Sequence, residues 1–291
     1  MGTLQKNHRK NLRVVRLIVL PSLATLAIAD MSQSLHAALV ASDNAGNSPY
    51  VAGSSFDAQN GGSGFGAWNL YTSGGTAGFL VGSSTQNDNG NTPPAGVAGD
   101  INTGGKAWGM YAAAHAYAIA TRSLTGGALV AGQSISLAFD NGSVAYGGSD
   151  VFRLLDGSDS LFQFGFTGGA QNYSYIDAAA NVESTNVPLT YLGLNTLFTL
   201  TSATTYSFTI TPIGDAQIAP QTISGKISGE ITGFDAGDYG AGSGSGSNFY
   251  INSVAVSNSP VPLPPSLDLV LAGGLGLAGM ALSRRRSRMQ A

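Results

Sequence analysis

The chain of 291 residues contains no cysteine. Disulfide bridges, thiolate metal sites and cysteine nucleophiles are therefore excluded, so a hydrophobic core must hold the fold on its own. Two other residue types that often carry catalysis are scarce. Glu183 and Glu230 are the only glutamates, and His115 is the only histidine between residues 38 and 259. A Ser-His-Asp triad would depend on this histidine, whose position among alanines in a predicted strand favours a packed or surface role over catalysis.

Positive charge is nearly absent from the central part of the chain. Nine of the thirteen basic residues lie before residue 17 or after residue 283, whereas fourteen of the sixteen acidic residues lie between residues 38 and 259. With four basic residues against fourteen acidic ones, this region carries a net charge of −10. Nucleic acids require a basic surface, so no nucleic-acid partner is expected. Such a negative charge is compatible with binding cations or neutral glycans, and it can also serve only to keep the protein soluble.

The chain also lacks a long hydrophobic run, and its two apolar blocks stand near its ends. The first block, residues 17–29, follows five basic residues and precedes several small residues. Its length is typical of the apolar part of a signal peptide and is too short to span a membrane. We therefore predict a signal peptide over residues 1–37, with the export machinery and signal peptidase as partners and cleavage after Ala37 or Ala38. The small-x-small triplet at 27–29 is an alternative cleavage site.

The second apolar block belongs to a tail with three parts in a fixed order. A proline cluster is followed by the apolar residues 267–282 and then by a basic end. As a helix the apolar part would measure about 24 Å, which is less than the ~30 Å hydrocarbon core of a bilayer. The positive-inside rule predicts that the basic end lies in the cytoplasm and the preceding chain outside. The proline cluster is Val261, Pro262, Leu263, Pro264, Pro265 and Ser266, and the basic end contains Arg284, Arg285, Arg286 and Arg288.

This tail resembles the PEP-CTERM sorting signal, which an exosortase recognises in exopolysaccharide-producing Gram-negative bacteria. Pro262-Leu263-Pro264 stands in place of the family's usual Pro-Glu-Pro, which makes the tail a Val-Pro-Leu-Pro variant, and Asp268 lies within the apolar block. The resemblance implies that residues 260–291 are a sorting tail, that residues 267–282 form a transient transmembrane helix, and that an exosortase is a partner. It also implies cleavage near the proline motif and delivery to the cell surface or extracellular matrix. An ordinary C-terminal membrane anchor is the alternative.

Between these ends, short apolar runs separated by Gly, Ser and Asn predict one all-β domain over residues 38–259. In residues 161–166 three phenylalanines fall on one face, as a half-buried strand requires. The Ala-rich residues 110–120 also alternate and predict a strand rather than a helix. Turns are predicted at 124–129 and at the Asn141-Gly142 pair, which is typical of a hairpin. Further strands are predicted at 135–139, 151–155, 173–177, 197–201, 204–211, 221–227 and 249–256.

More than ten strands in one domain must close or stack to protect their edges. The arrangement resembles the jelly-roll sandwiches of concanavalin-like shape that often precede PEP-CTERM tails, with residues 248–256 as the last strand. The predicted fold class is therefore an all-β sandwich flanked by a signal helix and a sorting helix. Loops are predicted at 60–64, 83–96 and 235–248. The side chains predicted to fill the core around the first two loops are Phe65, Trp68, Tyr71, Phe79 and Trp108.

Oxygen-rich segments are the candidate metal sites. Asp88 lies in the run Asn-Asp-Asn-Gly-Asn, and Asp235 and Asp238 lie in the last predicted Gly-rich loop. Oxygen donors on flexible backbone suit Ca²⁺, although no twelve-residue loop with a terminal glutamate is present. A bound Ca²⁺ and a domain without any cofactor both remain open.

Glycan binding and glycan hydrolysis make different demands on the sequence. Exposed aromatic rings could form a glycan platform, although core packing is the commoner role of alternating tyrosines. The candidates for such a platform are Tyr173, Tyr175, Tyr239 and Tyr250. Hydrolysis needs two carboxylates on either side of one bond. The Glu-x-Asp-x-Glu motif of glucanases with this shape is absent, and the spacing of Asp156 with Asp159 and of Asp235 with Asp238 favours turns.

These observations predict a non-enzymatic protein of the cell surface or exopolysaccharide matrix, with no catalytic residue. The first alternative is a lectin-like module that binds extracellular polysaccharide through Ca²⁺ or an aromatic face. The second alternative is a polysaccharide hydrolase.

Overall fold

The computed structural model describes residues 39–87, 100–190, 192–215, 217–242 and 244–258. Within these ranges the chain forms fifteen strands in two antiparallel sheets, so the all-β prediction is confirmed. No helix in the same ranges is long and apolar enough to cross a membrane. The predicted signal peptide (1–37) and the predicted sorting tail (260–291) lie outside the described residues.

The first sheet has eight strands. They are β1 (Leu39–Asp43), β3 (Ala77–Gly82), β4 (Ala107–Ala112), β6 (Gln133–Asn141), β11 (Leu194–Leu200), β12 (Thr205–Pro212), β13 (Gln221–Lys226) and β15 (Phe249–Asn258). Their order is β13-β12-β11-β6-β15-β4-β3, and β1 pairs with β15 beside this path. Both ends of the described chain therefore belong to this sheet.

The second sheet has seven strands. They are β2 (Asn69–Ser73), β5 (Tyr117–Ser123), β7 (Ser149–Asp156), β8 (Asp159–Thr167), β9 (Asn172–Ile176), β10 (Glu183–Pro188) and β14 (Gly233–Tyr239). Their order is β10-β9-β8-β7-β14-β5-β2. Strand β14 is therefore an interior strand between β7 and β5.

An aromatic layer between the two sheets forms the core. The alternation predicted for residues 161–166 is present in β8, where Phe164 is fully buried. Its ring lies 5.1 Å from that of Phe208 in β12 and 5.6 Å from that of Phe139 in β6. Burial of one such side chain contributes about 1.5–3 kcal/mol. These contacts between strands of different sheets stabilise the face-to-face packing.

Two predictions of local structure need correction where the chain crosses between the sheets. The choice of strand over helix for residues 110–120 is confirmed, but one continuous strand is not. Residues 110–120 form parts of two strands, because β4 ends at Ala112 and β5 begins at Tyr117 in the other sheet. The turn between them holds His115 at φ 65°, in the left-handed region. The predicted hairpin at Asn141-Gly142 is absent, because the chain passes from β6 in the first sheet to β7 in the second.

The remaining predicted strands are confirmed, but five strands were not predicted. Predicted strands 151–155, 173–177, 197–201, 221–227 and 249–256 correspond to β7, β9, β11, β13 and β15. Four of them, β1, β2, β3 and β10, lie at a margin of their sheet, whereas the fifth, β14, is interior. A marginal strand buries less side-chain surface, so its sequence needs no strong alternation.

The predicted core aromatic residues are mostly confirmed. Phe65, Trp68 and Trp108 are buried, and Phe79 packs half-buried against the core. The prediction was wrong for Tyr71, whose side chain is 56% exposed. This tyrosine lies on the outer face of β2.

A buried ion pair joins the two sheets. Arg122 of β5 donates from Nη1 to Oδ2 of Asp43 at the end of β1, at 2.7 Å, and both side chains are completely buried. The Tyr50 hydroxyl donates to the same carboxylate. The other guanidinium nitrogens donate to the Gly66 carbonyl and to the Asn60 side chain, at 2.9 and 2.7 Å. Buried charges are tolerated when they are paired and hydrogen-bonded in this way.

Candidate functional site

The outer face of the second sheet carries the candidate site. In β14 the side chains of Phe234 and Asp238 point toward the first sheet and are fully buried. Because side chains alternate along a strand, those of Asp235 and Tyr239 lie on the opposite, outer face. Tyr239 is directly opposite Tyr117 of the neighbouring β5.

Three tyrosines from neighbouring strands form a row on this face, and we call Tyr71, Tyr117 and Tyr239 the tyrosine row. The ring centroids of Tyr71 and Tyr117 are 5.7 Å apart, with an interplanar angle of 40°. Those of Tyr117 and Tyr239 are 6.0 Å apart and closer to parallel, at 25°. Tyr71 is exposed and the other two are half-buried. The row therefore offers contiguous aromatic surface to solvent.

The position of Tyr239 depends on a glycine in its own strand. A Cβ atom on Gly237 would lie 2.7 Å from Cε2 and 3.2 Å from the hydroxyl oxygen of Tyr239. Such contacts are closer than carbon atoms normally allow, so a side chain at residue 237 would displace the ring. The absence of a side chain at Gly237 lets the ring lie over the β14 backbone.

An ion pair borders the tyrosine row. Arg153 of β7 donates two hydrogen bonds to Asp235, from Nε at 2.8 Å and from Nη2 at 2.7 Å. The guanidinium carbon also lies 5.7 Å from the ring centroid of Tyr239, within the range of a cation–π contact. These two hydrogen bonds use two of the five N–H groups of the guanidinium. The pair thus places polar hydrogen-bonding groups beside an aromatic surface.

Tyr71 and Tyr239 of the row are uncharged at physiological pH. Burial raises the pKa of Tyr239 to about 12, with Arg153 opposing this shift. A hydrogen bond with Tyr117 raises the pKa of Tyr71 above its ordinary value of 10.0. Burial also raises the pKa of Asp235, although Arg153 opposes it. The site therefore combines neutral phenols with one ion pair.

Only one of the four tyrosines predicted as a glycan platform lies in this row, namely Tyr239. The prediction was wrong for Tyr173 and Tyr250, which are completely buried. Tyr173 points into the core and donates to the side chain of Asn141 at 2.5 Å. Tyr175 is half-buried and packs against the core, apart from the row.

The predicted Ca²⁺ ligands Asp235 and Asp238 do not lie in a loop. Both belong to the interior strand β14, so the predictions of a loop and of a turn at these residues were wrong. The glycines of this segment suggested a loop, but Phe234 and Ala236 are buried in the core and hold it as a strand. The two carboxylates consequently point to opposite faces of the sheet.

The surroundings of these carboxylates are not those of a metal site. Asp235 pairs with Arg153, while Asp238 accepts the N–H groups of Ala112 and Ala241 at 3.1 and 2.9 Å. Across the residues that the structure describes, no three His, Asp or Glu side chains are arranged to hold a metal ion. The third predicted ligand, Asp88, lies outside those residues.

The other candidate residues of the sequence lie apart from the row. Asp156 and Asp159 flank the turn between β7 and β8, as their spacing predicted. Asp156 accepts the N–H of Glu230 at 3.2 Å, and Glu183 begins the marginal strand β10. His115 is exposed at the turn between β4 and β5, which confirms a surface position.

Sequence reasoning missed Tyr71, Tyr117 and Arg153 as site residues. They come from β2, β5 and β7, which are far apart in sequence and meet only through strand pairing. One signal was available, since the buried residues Ala118 and Ala120 alternate with the side chains of the outer face. That alternation places Tyr117 on a face that does not serve the core.

Neither a protein-family model nor a curated protein matches the chain. Among solved structures, a carbohydrate esterase from the Shiga toxin-encoding bacteriophage phi24B is similar over 77% of this chain and 100% of its own, with 16% identity and a TM-score of 0.48. A protein of unknown function from Shewanella oneidensis MR-1 is similar over 86% and 100%, with 10% identity and a TM-score of 0.43. The exoplasmic/lumenal domain of VIP36 in its Ca²⁺/Man3GlcNAc-bound form is similar over 66% and 87%, with 8% identity and a TM-score of 0.37. Similarity at this level indicates neither a shared ligand nor a shared activity.

Proposed function

We propose that this is an exported, non-enzymatic β-sandwich protein that binds a neutral polysaccharide through the tyrosine row. The observation that carries the proposal is the row itself, in which three strands each place one tyrosine on the same outer face. These rings are not part of the core, because the same strands contribute to the core through side chains on their inner face. Contiguous exposed aromatic surface is typical of a binding site.

The chemistry of the row suits a sugar. A pyranose ring has an apolar face of C–H groups and a rim of hydroxyl groups. Tyrosine rings can pack against the apolar face, and Arg153 and Asp235 can exchange hydrogen bonds with the hydroxyl groups. The net charge of −10 between residues 38 and 259 disfavours an acidic polymer, so an uncharged polysaccharide is the better ligand.

The architecture and the chain ends agree with this role. Two stacked antiparallel sheets support assignment of the domain to the jelly-roll, concanavalin-like sandwiches. A signal peptide over residues 1–37 and a PEP-CTERM-like tail over residues 260–291 would direct it to the cell surface or the exopolysaccharide matrix, with an exosortase as the processing partner. Polysaccharide is abundant at that location, so an adhesive or structural role follows.

Substitution of Tyr239 by alanine is expected to weaken polysaccharide binding about tenfold, because one ring of the stacking surface is lost. Gly237→Ala should weaken binding in the same direction, since its methyl group displaces the Tyr239 ring while keeping every tyrosine. A screen of neutral glycans followed by titration calorimetry measures both effects. Repeating the titration with a chelator tests whether Ca²⁺ contributes.

Leu197→Ala is the matched control for these variants. Leu197 is 42% exposed on β11, in the other sheet, so its truncation should leave binding unchanged. If the wild-type protein binds no neutral glycan, with or without chelator, the proposed function is wrong. Equal weakening by all three variants would also argue against the tyrosine row as the site.

The proposed sorting can be tested separately. Replacing Arg284, Arg285 and Arg286 by glutamine is expected to stop cleavage near the proline motif in a host that has an exosortase, because the basic end of the signal is lost. Two quantities are measured. The mass of the exported protein reports cleavage, and the amount in the membrane fraction reports uncleaved protein. Arg288→Gln alone is the control. Unchanged cleavage in the triple variant would favour the ordinary membrane anchor.

A further inference from the structure

A second concave surface lies at the margin of the first sheet. It is a groove of about 490 Å³ between β3 and β4 on one side and the loop before β15 on the other. The larger side chains that line it are those of Phe79, Leu80, Tyr111, Gln86 and Asn248. The groove therefore has aromatic and aliphatic walls with two amides.

The groove contains no charged side chain among the residues that line it. Tyr111 folds over Gly78, where an added Cβ atom would lie 2.5 Å from the tyrosine hydroxyl oxygen. On the other side, Gly242 and Gly244, at φ 150° and 103°, contribute backbone without side chains to the groove wall. An apolar cleft with a few uncharged polar groups is typical of a small-molecule or glycan site. Neutral sugars fit this lining better than ions do.

The groove and the tyrosine row are connected by the turn that joins the two sheets. Strand β4 carries Tyr111 in the groove wall, and β5 begins with Tyr117 of the row. Between them Ala114 and His115 are exposed. A ligand that extends past Tyr117 would thus meet the exposed turn and then the groove.

A second segment makes the same connection. Tyr239 of the row ends β14, and the chain continues directly to Gly242 in the groove wall. The N–H of Gly242 donates to the Ala112 carbonyl at 3.1 Å, which ties this segment to the end of β4. The turn between β4 and β5 and the segment after β14 therefore both place the groove next to the tyrosine row, at one end of the sandwich.

We propose that the groove is a second subsite for the same neutral polysaccharide, and that one polymer chain passes over the turn at residues 113–116 to occupy both surfaces. This inference rests on the proposed function. Binding at two linked subsites increases affinity only for a ligand long enough to reach both. The exposed His115 ring lies at the crossing and can exchange hydrogen bonds with the sugar hydroxyls there.

The test varies the length of the oligosaccharide ligand. Trisaccharides and decasaccharides of neutral glucan and mannan are titrated against the wild-type protein, Tyr111→Ala and Ser245→Trp. Ser245 is exposed at the groove, so the tryptophan blocks the cleft without removing core packing. Both variants are expected to weaken decasaccharide binding about tenfold and to leave trisaccharide binding to the row unchanged. Melting temperatures confirm that each variant is folded.

The outcomes separate this inference from the proposed function. If Tyr239→Ala weakens decasaccharide binding but folded Ser245→Trp does not, the second subsite is wrong and the row remains. If no oligosaccharide of either length binds the wild-type protein, the proposed function and the second subsite are both wrong. Should Tyr111→Ala prove unfolded, Ser245→Trp alone decides.

Discussion

Replacing Arg122 with methionine is expected to lower the free energy of unfolding by about 3–5 kcal/mol, because the completely buried Asp43 carboxylate then loses its counter-ion. For a domain of this size, that loss corresponds to a fall of about 10 °C in melting temperature. Methionine retains much of the volume that the guanidinium fills beside the rings of Phe65 and Trp68. The measured loss in thermal or urea unfolding should therefore report mainly the charge.

Arg153→Met is the matched control. Its pair with Asp235 has the same 2.7 Å contact, but the Arg153 side chain is 24% exposed. The Asp235 side chain is 6% exposed, so this pair is more accessible to water than the completely buried one and its loss should cost less. Adding Asp43→Asn to Arg122→Met should recover part of the loss, because no full charge then remains buried without a partner. Equal losses from Arg122→Met and Arg153→Met would contradict this account.

The protein is also expected to become less stable as the pH rises from about 5 to about 8. Asp150 of β7 and Asp238 of β14 are directly opposite each other and completely buried. In the part of the chain that the structure describes, neither carboxylate oxygen of Asp150 has a hydrogen-bond partner. The groups whose charges act on Asp150 are also acidic, namely Asp238 and Asp140.

The direction of the pH effect follows from these surroundings. Burial raises the pKa of Asp238 from 3.8 to about 7, against the opposing hydrogen bonds from Ala241 and Ala112. Burial and the two neighbouring charges raise the pKa of Asp150 well above 3.8. The folded protein therefore holds protons on these two groups that the unfolded chain releases, so their contribution to stability is fully present below about pH 4 and is lost as the pH rises through the folded-state pKa values. For Asp238 the shift corresponds to about 4 kcal/mol.

Asp150→Asn is expected to raise the melting temperature at about pH 8 by roughly 10 °C and to flatten the pH dependence, because the amide is uncharged at every pH. Thermal unfolding from about pH 4 to about pH 8 measures both quantities. Asp156→Asn, at the exposed end of β7, is the control and should keep the wild-type slope. A wild-type melting temperature that increases over this range would contradict the prediction.

The interior strands could be predicted from the sequence because their alternation reflects the core directly. Strands β8 and β12 place aromatic side chains at every second position, as at Phe162 and Phe164 or at Tyr206 and Phe208. The marginal strand β2 shows no such pattern, because it has one neighbour and buries little surface. Its tyrosine, Tyr71, was consequently assigned to the core.

The tyrosine row could not be predicted for a different reason. Its members are separated by long stretches of chain, and only the pairing of β2 with β5 and of β5 with β14 brings them together. The loop prediction at Asp235 and Gly237 shows the same limit. Glycine is a local signal, whereas membership of an interior strand depends on partners elsewhere in the sequence.

The pairing of β1 with β15 determines how the row would be displayed. Leu39 lies opposite Ser257, so the chain enters and leaves the described domain side by side, near Leu124 at the far end of β5. Tyr117 begins β5, and seven residues at about 3.3 Å each separate it from that end by about 20 Å. A domain tethered through either flank would hold its tyrosines on the side away from the tether.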